Sequence, residues 1–332
     1  MAYATVNSAY DGDTYGVAID AQGNAWFTAA GGNGQDSGYI FEITAAGQLA
    51  NVYGTFDAPE FISIDSTGSV WAAVSGNNSS DNGGIFTLNP STSITSFYTS
   101  SSLVTPADVV PDGSGNLWIA IDHDFGTDGS VIEINSSGQN VGTSPYTVGG
   151  INIPRGIAIG SSGIIWVTND GGYSVTQLNG GAAVNGDPFT GSGNIGVPFG
   201  IAIDASGNAW VSNVNNNTIT KLTSSGSYIV NYSGGGLDGP AHLSIDGSGN
   251  VFVPNFDGSS LTKLKSDGTP ASGSPYVTGS TLTPATAAVD GSGNVWMSTG
   301  NFNGIIEYIG LGVPVVTPLV TGVQNGTLGT RP

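Results

Sequence analysis

Residues 112–120 read DGSGNLWIA, and this short phrase decides the fold because the chain repeats it. Each copy has an acidic or small residue, a glycine three positions later and an aromatic residue six positions later. The other copies are DAQGNAWFT from Asp20, DSTGSVWAA from Asp65, GSSGIIWVT from Gly160, DASGNAWVS from Asp204, DGSGNVFVP from Asp246 and DGSGNVWMS from Asp290. Seven copies of one pattern indicate a repeat protein.

The period of the repeat identifies the architecture. Its anchor aromatic residues recur every 42 to 48 positions, as Trp26, Trp71, Trp118, Trp166, Trp210, Phe252 and Trp296. A period of about 40 to 50 residues with four short strands in each unit is typical of propeller blades. The fifth copy contains FGIAID at 199–204, NAWVSN at 208–213, TITKLT at 218–223 and SYIVNY at 227–232. No window has a sustained helical pattern of apolar residues, so we predict an all-β, seven-bladed β-propeller with four-stranded blades.

The two ends of the chain predict how the ring closes. The seventh copy supplies three strands, TAAVD, NVWMST and GIIEYIG, and then leaves the pattern. The segment before Gly16 matches, in its spacing, the segment before Gly156. We therefore expect residues 3–7 to form the outer strand of the blade that contains Trp296, which would hide a sheet edge. We predict one propeller domain at residues 1–310 and an extended tail packed on it at 311–332.

The repeated turn has two interpretations, a calcium loop and a hairpin connection. Every copy keeps the glycine, whereas one copy has Gly160 in place of the aspartate. Glycine supplies a positive φ without steric cost, and an aspartate accepts hydrogen bonds from backbone N–H groups two and three residues on. A calcium loop needs six or more oxygen ligands, usually with a distant bidentate glutamate, which no copy offers. We interpret the turn as a structural connection.

Composition limits the possible partners. Five Lys and Arg residues stand against 24 Asp and Glu residues, and the net charge of −19 would repel nucleic acid and anionic lipid. The chain has no cysteine, which excludes disulfides and thiolate metal sites. It has no run of 18 apolar residues, so no membrane insertion is predicted. The scarcity of lysine and the lack of thiols favour a secreted, periplasmic or cell-surface protein.

The repeated pattern P-x-G-I-A-I-D-x-x-G-N-x-W-V-[ST]-N resembles the NHL-repeat propellers, and among them the bacterial secreted group that includes the streptogramin B lyases. The resemblance covers about residues 1–310 and consists of turn and core residues, so it implies the fold and not the function. The lyase chemistry implies a metal held by carboxylates and a histidine that acts as general base. The chain contains only His123 and His242, and no local match to that arrangement is found.

A functional site is expected where the repeat pattern is broken, at the mouth of the central channel. Two rings of residues begin the inner strands there, and most of their members are small or apolar. The predicted ligand-binding residues in these rings are Tyr15, Glu60, Asp108, Arg155, Phe199 and His242. At the ends of the second strands, Asn169, Asn213 and Asn255 offer amide oxygens that could join carboxylates around a hard cation.

The charged members of this set also have structural interpretations. Arg155 would pair with Asp108 of the neighbouring blade, His242 would plug the channel through a hydrogen bond to backbone, and Glu60 would face water. In the functional interpretation, Arg155 is a lone cation that docks a carboxylate or sulfate group.

Two functions are compatible with these observations. The leading hypothesis is a secreted, non-catalytic binding propeller that recognises a polar small molecule, a glycan or a protein at the mouth, with no cofactor and no metal. Polar loops at 29–38, 75–84 and 122–129 on the same face favour this hypothesis. The alternative is a metal-assisted lyase or lactonase that uses Glu60, Asp108 and His242. The sequence leaves the oligomeric state open.

Overall fold

The computed structural model describes residues 2–5, 12–31, 38–76, 83–122, 128–278, 282–300 and 304–317. These residues form 27 strands in seven antiparallel sheets, one for each repeat. The innermost strands of successive sheets contact one another in order, and the last contacts the first, so the sheets are the blades of a closed ring. The predicted seven-bladed β-propeller is confirmed. The one helical element of the described residues is a 3-10 turn at Gly191–Gly193, and no described helix is long and apolar enough to cross a membrane.

The first four blades follow the chain in order. Blade 1 consists of β2 (Gly12–Ile19), β3 (Ala25–Gly31), β4 (Gly38–Ile43) and β5 (Leu49–Phe56). Blade 2 consists of β6 (Pro59–Ile64), β7 (Val70–Val74), β8 (Gly84–Asn89) and β9 (Ile94–Tyr98). Blade 3 consists of β10 (Pro106–Pro111), β11 (Leu117–Ile121) and β12 (Ser130–Ile134). Blade 4 consists of β13 (Pro154–Ile159), β14 (Ile165–Asn169), β15 (Ser174–Asn179) and β16 (Ala182–Ala183).

The remaining blades complete the ring. Blade 5 consists of β17 (Pro198–Ile203), β18 (Ala209–Asn213), β19 (Thr218–Leu222) and β20 (Tyr228–Ser233). Blade 6 consists of β21 (Ser244–Ile245), β22 (Val251–Asn255), β23 (Ser260–Leu264) and β24 (Tyr276–Val277). Blade 7 consists of β25 (Thr283–Val289), β26 (Val295–Gly300), β27 (Gly304–Tyr308) and β1 (Ala2–Thr5).

The first strand of the chain closes the ring, as predicted. Strand β1 pairs antiparallel with β27, with Ala2 opposite Glu307 and Thr5 opposite Gly304. Residues 6 and 7 of the predicted closing strand lie outside the described residues. A second connection joins blades 7 and 1, where the Thr14 hydroxyl donates to the Thr299 carbonyl at 2.9 Å and accepts from the Thr299 N–H at 2.8 Å. The two ends of the ring are therefore joined by backbone and by side chain.

Blade 3 differs from the four-stranded pattern because its outer segment forms no continuous ladder. After β12 the chain returns along the strand but pairs only as isolated bridges, at Tyr146 with Val131 and at Asn140 with Ile134. Between these bridges, the Glu133 N–H donates to the Ser144 hydroxyl at 2.9 Å. A side chain thus takes the place of the backbone acceptor that a fourth strand would provide.

The repeated turn is held by its aspartate carboxylate. In blade 5, Asp204 Oδ1 accepts from the N–H groups of Ser206 at 3.0 Å and Asn208 at 2.9 Å. All six aspartate copies make the same two bonds. The bonds therefore reach the residues two and four positions on, rather than two and three as predicted. Gly207 has a φ of 81°, which agrees with the predicted need for glycine.

The second oxygen of the carboxylate binds the anchor tryptophan, which the sequence analysis did not predict. The indole N–H donates to Oδ2 in five blades, from Trp26, Trp71, Trp118, Trp210 and Trp296. Phe252 of blade 6 has no such donor, and there Asp246 Oδ2 accepts the N–H of Val313 at 3.0 Å. The segment 311–317 thus contacts the turn of the blade whose anchor is phenylalanine, and Val315 beyond it is 1% exposed.

Removing the closing strand tests the ring. Deletion of residues 1–8 would leave the edge of β27 unpaired, so we expect a clear fall in the midpoint of thermal unfolding measured by circular dichroism. Deletion of residues 326–332 is the comparison for shortening the chain by a similar length. An unchanged midpoint in the N-terminal deletion would contradict closure by β1.

Candidate functional site

The predicted site residues lie at one end of the channel, which we call the mouth. Here each inner strand begins beside the end of the second strand of its blade. The pairs Pro154 with Asn169 and Pro198 with Asn213 show this arrangement. The other end of the channel carries the repeated Asp-Gly turns. Side chains at the start of inner strands and at the end of second strands therefore meet at the mouth.

Three rings from three blades form the floor of the mouth. The His242 ring lies 3.9 Å from the Phe61 ring and 4.9 Å from the Phe199 ring, measured between centroids. The Phe61 and Phe199 rings lie 6.2 Å apart, edge to face. Burial, together with the charge of Arg155, lowers the pKa of His242 to about 3, so the imidazole is neutral at neutral pH. The His242 ring contacts both phenyl rings, and its buried Nε2 has no hydrogen-bond partner among the described residues.

Arg155 is held by two aspartates at the mouth. Its Nη1 contacts Asp122 Oδ2 of blade 3, and its Nε lies 3.6 Å from Asp170 Oδ2 of its own blade. The predicted pairing of Arg155 with Asp108 is therefore wrong. Asp122 and Asp170 were missed, although both lie where second strands end, as the three asparagines do. Because two carboxylates surround one guanidinium, this cluster carries a net negative charge and disfavours the predicted docking of an anion.

Asp108 is buried and bridges two blades. Its Oδ1 accepts the Val109 N–H at 2.8 Å, and its Oδ2 accepts the Ile157 N–H of blade 4 at 3.0 Å. Burial raises the pKa of Asp108 to about 7, against the lowering effect of these two bonds. Both oxygens are engaged with backbone donors, so the carboxylate holds the ring together at this point.

A hydroxyl that links neighbouring blades recurs in blades 1, 4 and 7. In blade 4, the Thr168 hydroxyl accepts the Gly156 N–H of its own blade and donates to the Phe199 carbonyl of the next blade, each at 2.8 Å. Thr28 and Ser298 make the same connection in blades 1 and 7. Blade 3 has Ala120 at this position. Blades 2 and 6 also lack a hydroxyl there, with Ala73 and Pro254, whereas in blade 3 Asp108 provides a different link to the next blade.

Glu60 and Tyr15 lie beside the arginine cluster. The Ser75 hydroxyl donates to Glu60 Oε1 at 3.3 Å. Burial raises the pKa of Glu60 to about 7, with the Ser75 bond and the Arg155 charge acting in the opposite direction and Asp122 in the same one. Burial and the charges of Glu60 and Asp13 raise the pKa of Tyr15 to about 12. Glu60 therefore does not simply face water, since it interacts with both Tyr15 and the arginine cluster.

The three asparagines do not fit a metal site. Their Nδ2 groups donate to hydroxyls of the third strand, as Asn213 does to Thr220 at 2.9 Å. Their Oδ1 atoms accept backbone N–H groups, as Asn213 does from Gly196 at 3.2 Å. Within the described ranges, no three His, Asp or Glu side chains are grouped to hold a metal ion. With both Asp108 oxygens engaged and His242 between two phenyl rings, these residues do not match the metal arrangement that the lyase resemblance implies.

Two exposed aromatic residues stand near the mouth and were missed. Tyr173 and Phe256 lie in the hairpins that follow the second strands of blades 4 and 6, and their exposed fractions are 54% and 44%. The signal in the sequence is an aromatic residue within an Asn, Asp and Gly turn, in NDGGYS and NFDGSS. His123 and most of the predicted polar loops at 29–38, 75–84 and 122–129 lie outside the described residues.

Comparison with known proteins supports the fold. No family model matches the sequence, and no curated protein matches it. A catalytically inactive virginiamycin B lyase from Staphylococcus aureus with quinupristin matches with a TM-score of 0.77 and 17% identity, over 92% of this chain and 97% of that one. A streptogramin B lyase structure matches with a TM-score of 0.74 and 18% identity, over 92% and 97% of the two chains.

A third match comes from a different class of protein. The extracellular domain of a proposed one-component system from B. thetaiotaomicron has a TM-score of 0.69 and 14% identity, over 94% of this chain and 42% of that one. At these identities the likeness shows the fold alone. The chain is thus a seven-bladed propeller similar in structure both to streptogramin B lyase and to the extracellular domain of a proposed one-component system.

Removal of the Asp108 carboxylate tests its structural role. The substitution Asp108→Ala leaves the buried Ile157 N–H without an acceptor, so we expect a loss of about 1–3 kcal/mol in the free energy of unfolding. Asp108→Asn keeps one acceptor oxygen, so its loss in the free energy of unfolding should be smaller. Asp128→Ala, at an exposed position of the same blade, is the control. Urea unfolding at neutral pH measures all three, and equal midpoints for Asp108→Ala and the control would contradict the bridge.

The raised pKa of Glu60 predicts a pH dependence of stability. Because its pKa rises from 4.5 to about 7 on folding, the folded protein binds this proton more tightly, and stability falls as pH rises through that interval. Glu60→Gln removes this ionisation. We expect the melting temperature of the variant relative to the parent to be higher at pH 8 than at pH 4.5. His242 titrates in both proteins, so its contribution to the pH dependence cancels when the melting temperature of the parent is subtracted from that of the variant. A difference that does not change with pH would contradict the raised pKa.

Proposed function

We propose that this chain is a secreted binding propeller that recognises a polar, uncharged ligand at its mouth, with a neutral glycan as the class that fits best. The observation that carries this proposal is the combination at the mouth of an aromatic floor with an acidic, ion-paired rim. The floor is formed by Phe61, Phe199 and His242, and the rim includes Glu60 and Arg155 with its two aspartates.

The chemistry of the rim suits hydroxyl groups. Carboxylate oxygens accept hydrogen bonds from sugar hydroxyls, and the guanidinium of Arg155, with a side chain that is 35% exposed, can donate to them. Aromatic rings present the apolar surface on which a polar ligand is oriented, and Tyr15, Phe199 and the exposed Tyr173 and Phe256 surround this end of the channel. The surplus of carboxylates favours a neutral ligand over an anionic one.

The location of the protein, outside the cell or on its surface, is proposed from its composition and its fold. The acidic, cysteine-free chain and its likeness to the extracellular domain of a proposed one-component system support a secreted or cell-surface protein. That likeness also supports a role in binding, since the domain belongs to a proposed signalling protein.

The alternative is an enzyme of the streptogramin B lyase kind, and the fold favours it with a TM-score of 0.77. It would need Asp108 to leave its two backbone donors and His242 to leave the aromatic floor before either side chain could serve in catalysis. A histidine whose pKa is about 3 is also a weak general base at neutral pH. These contacts make binding the preferred proposal.

A glycan array probed with the purified full chain tests the proposal. We expect binding to neutral glycans, and a loss of roughly tenfold or more in affinity for the best of them in Phe199→Ala and in Arg155→Ala, measured by calorimetry. Lys265→Ala, on an exposed turn of blade 6, is the control and should bind normally.

Two results would reject this proposal. One is a ligand whose binding is unchanged by both mouth variants. The other is a stoichiometric divalent ion in the purified protein together with turnover of a depsipeptide or lactone that His242→Ala abolishes, since that result would establish the enzyme.

A further inference from the structure

Beyond the aromatic floor, the channel contains a cavity of about 220 Å3. Its wall is formed by the last two or three residues of all seven inner strands, just before the repeated turns, together with Thr317. The rings of Phe61 and His242 come one position before the lining residues Ile62 and Leu243, on the mouth side, and none of the three floor rings lines the cavity. The cavity therefore lies beyond the floor of the site described above.

Most of the side chains that form the wall of this cavity are apolar. The wall consists of Ile, Val, Leu and Ala residues and Pro111, and its side chains with a hydroxyl group are Ser63, Ser244 and Thr317. No charged side chain lines it. The space remains open because several inner strands place alanine or serine at the middle of this stretch, as at Ala18, Ala158 and Ala202.

One polar group of the wall has no partner. The Ser63 hydroxyl donates to the Val109 carbonyl. The Ser244 side chain is 7% exposed, and its buried hydroxyl oxygen has no hydrogen-bond partner among the described residues. A buried hydroxyl without a partner is costly, and most such groups in proteins are paired. Rotation about the Cα–Cβ bond can reorient the Ser244 hydroxyl, so a molecule in the cavity can form a hydrogen bond with it.

We propose that this cavity is a second binding site, for a small, neutral, apolar molecule with one hydroxyl or carbonyl group that pairs with Ser244. An apolar cavity of about 150 Å3 holds benzene, so the larger space here accepts a single ring that carries a hydroxyl group. The occupant is neutral because the wall offers no charged partner for a buried ion.

Phenol and benzene are the matched probes, because they differ by one hydroxyl group. Calorimetry with the full chain should show both binding, with phenol the tighter. In Ser244→Ala, the affinity for phenol should fall roughly fivefold while that for benzene stays the same. Ser63→Ala is the control in the same wall, and because its hydroxyl is already engaged, the ratio of the two affinities should not change.

Two further experiments complete the test: a variant that fills the cavity, and a measurement of where phenol binds. Ala202→Leu should abolish binding of both probes, with a thermal melt to check its folding. Nuclear Overhauser contacts should place phenol against the Ile157 and Ile201 methyl groups. The proposal is overturned if neither probe binds, if Ser244→Ala weakens both equally, or if phenol is located at the mouth. It is also overturned if the probes bind only after residues 318–332 are removed, because the chain that follows Thr317 would then be the occupant.

Discussion

The ring is built on one interaction that five of its seven blades share, the carboxylate that ties the first turn of a blade to its anchor tryptophan. In blade 5, one oxygen of Asp204 fixes the turn through two backbone N–H groups, and the other holds the indole of Trp210 at 3.1 Å. The indole in turn stacks on Tyr232 of the outer strand, with ring centroids 5.3 Å apart. The carboxylate therefore connects the innermost turn, the core between blades and the outer edge of the sheet.

This local character explains why the fold could be predicted from the sequence. The aspartate, the glycine and the tryptophan all lie within seven residues, so the motif that forms the turn can be recognised directly in the sequence of each repeat. Blade 6 departs from this motif at its anchor residue. Phe252 keeps the size of the anchor without its donor, and its aspartate is free to accept the backbone of Val313 instead. The segment 311–317 is thus attached where the repeat lacks a bond.

The candidate site was only partly predictable, because its contacts join different blades. The positions of Glu60, Arg155 and His242 followed from the broken repeat, yet their partners did not. Arg155 contacts Asp122 across 33 residues, and Asp108 binds Ile157 across 49. Such pairings depend on how neighbouring blades are spaced around the ring, which a repeat pattern does not contain. The link that Asp108 makes beside Ala120 becomes meaningful only once the hydroxyl links of blades 1, 4 and 7 are known.

The closing strand has a consequence for the order of folding. Ala2 pairs with Glu307, so almost the whole chain separates the two strands of this contact. During synthesis the first strand is made long before its partner, and contacts between such distant parts of a chain form slowly. Blades 1 to 6 can assemble from contacts between neighbours while blade 7 still lacks its outer strand. We therefore expect the pairing of β1 with β27 to form late, and until it forms the ring is an open arc with an unpaired edge.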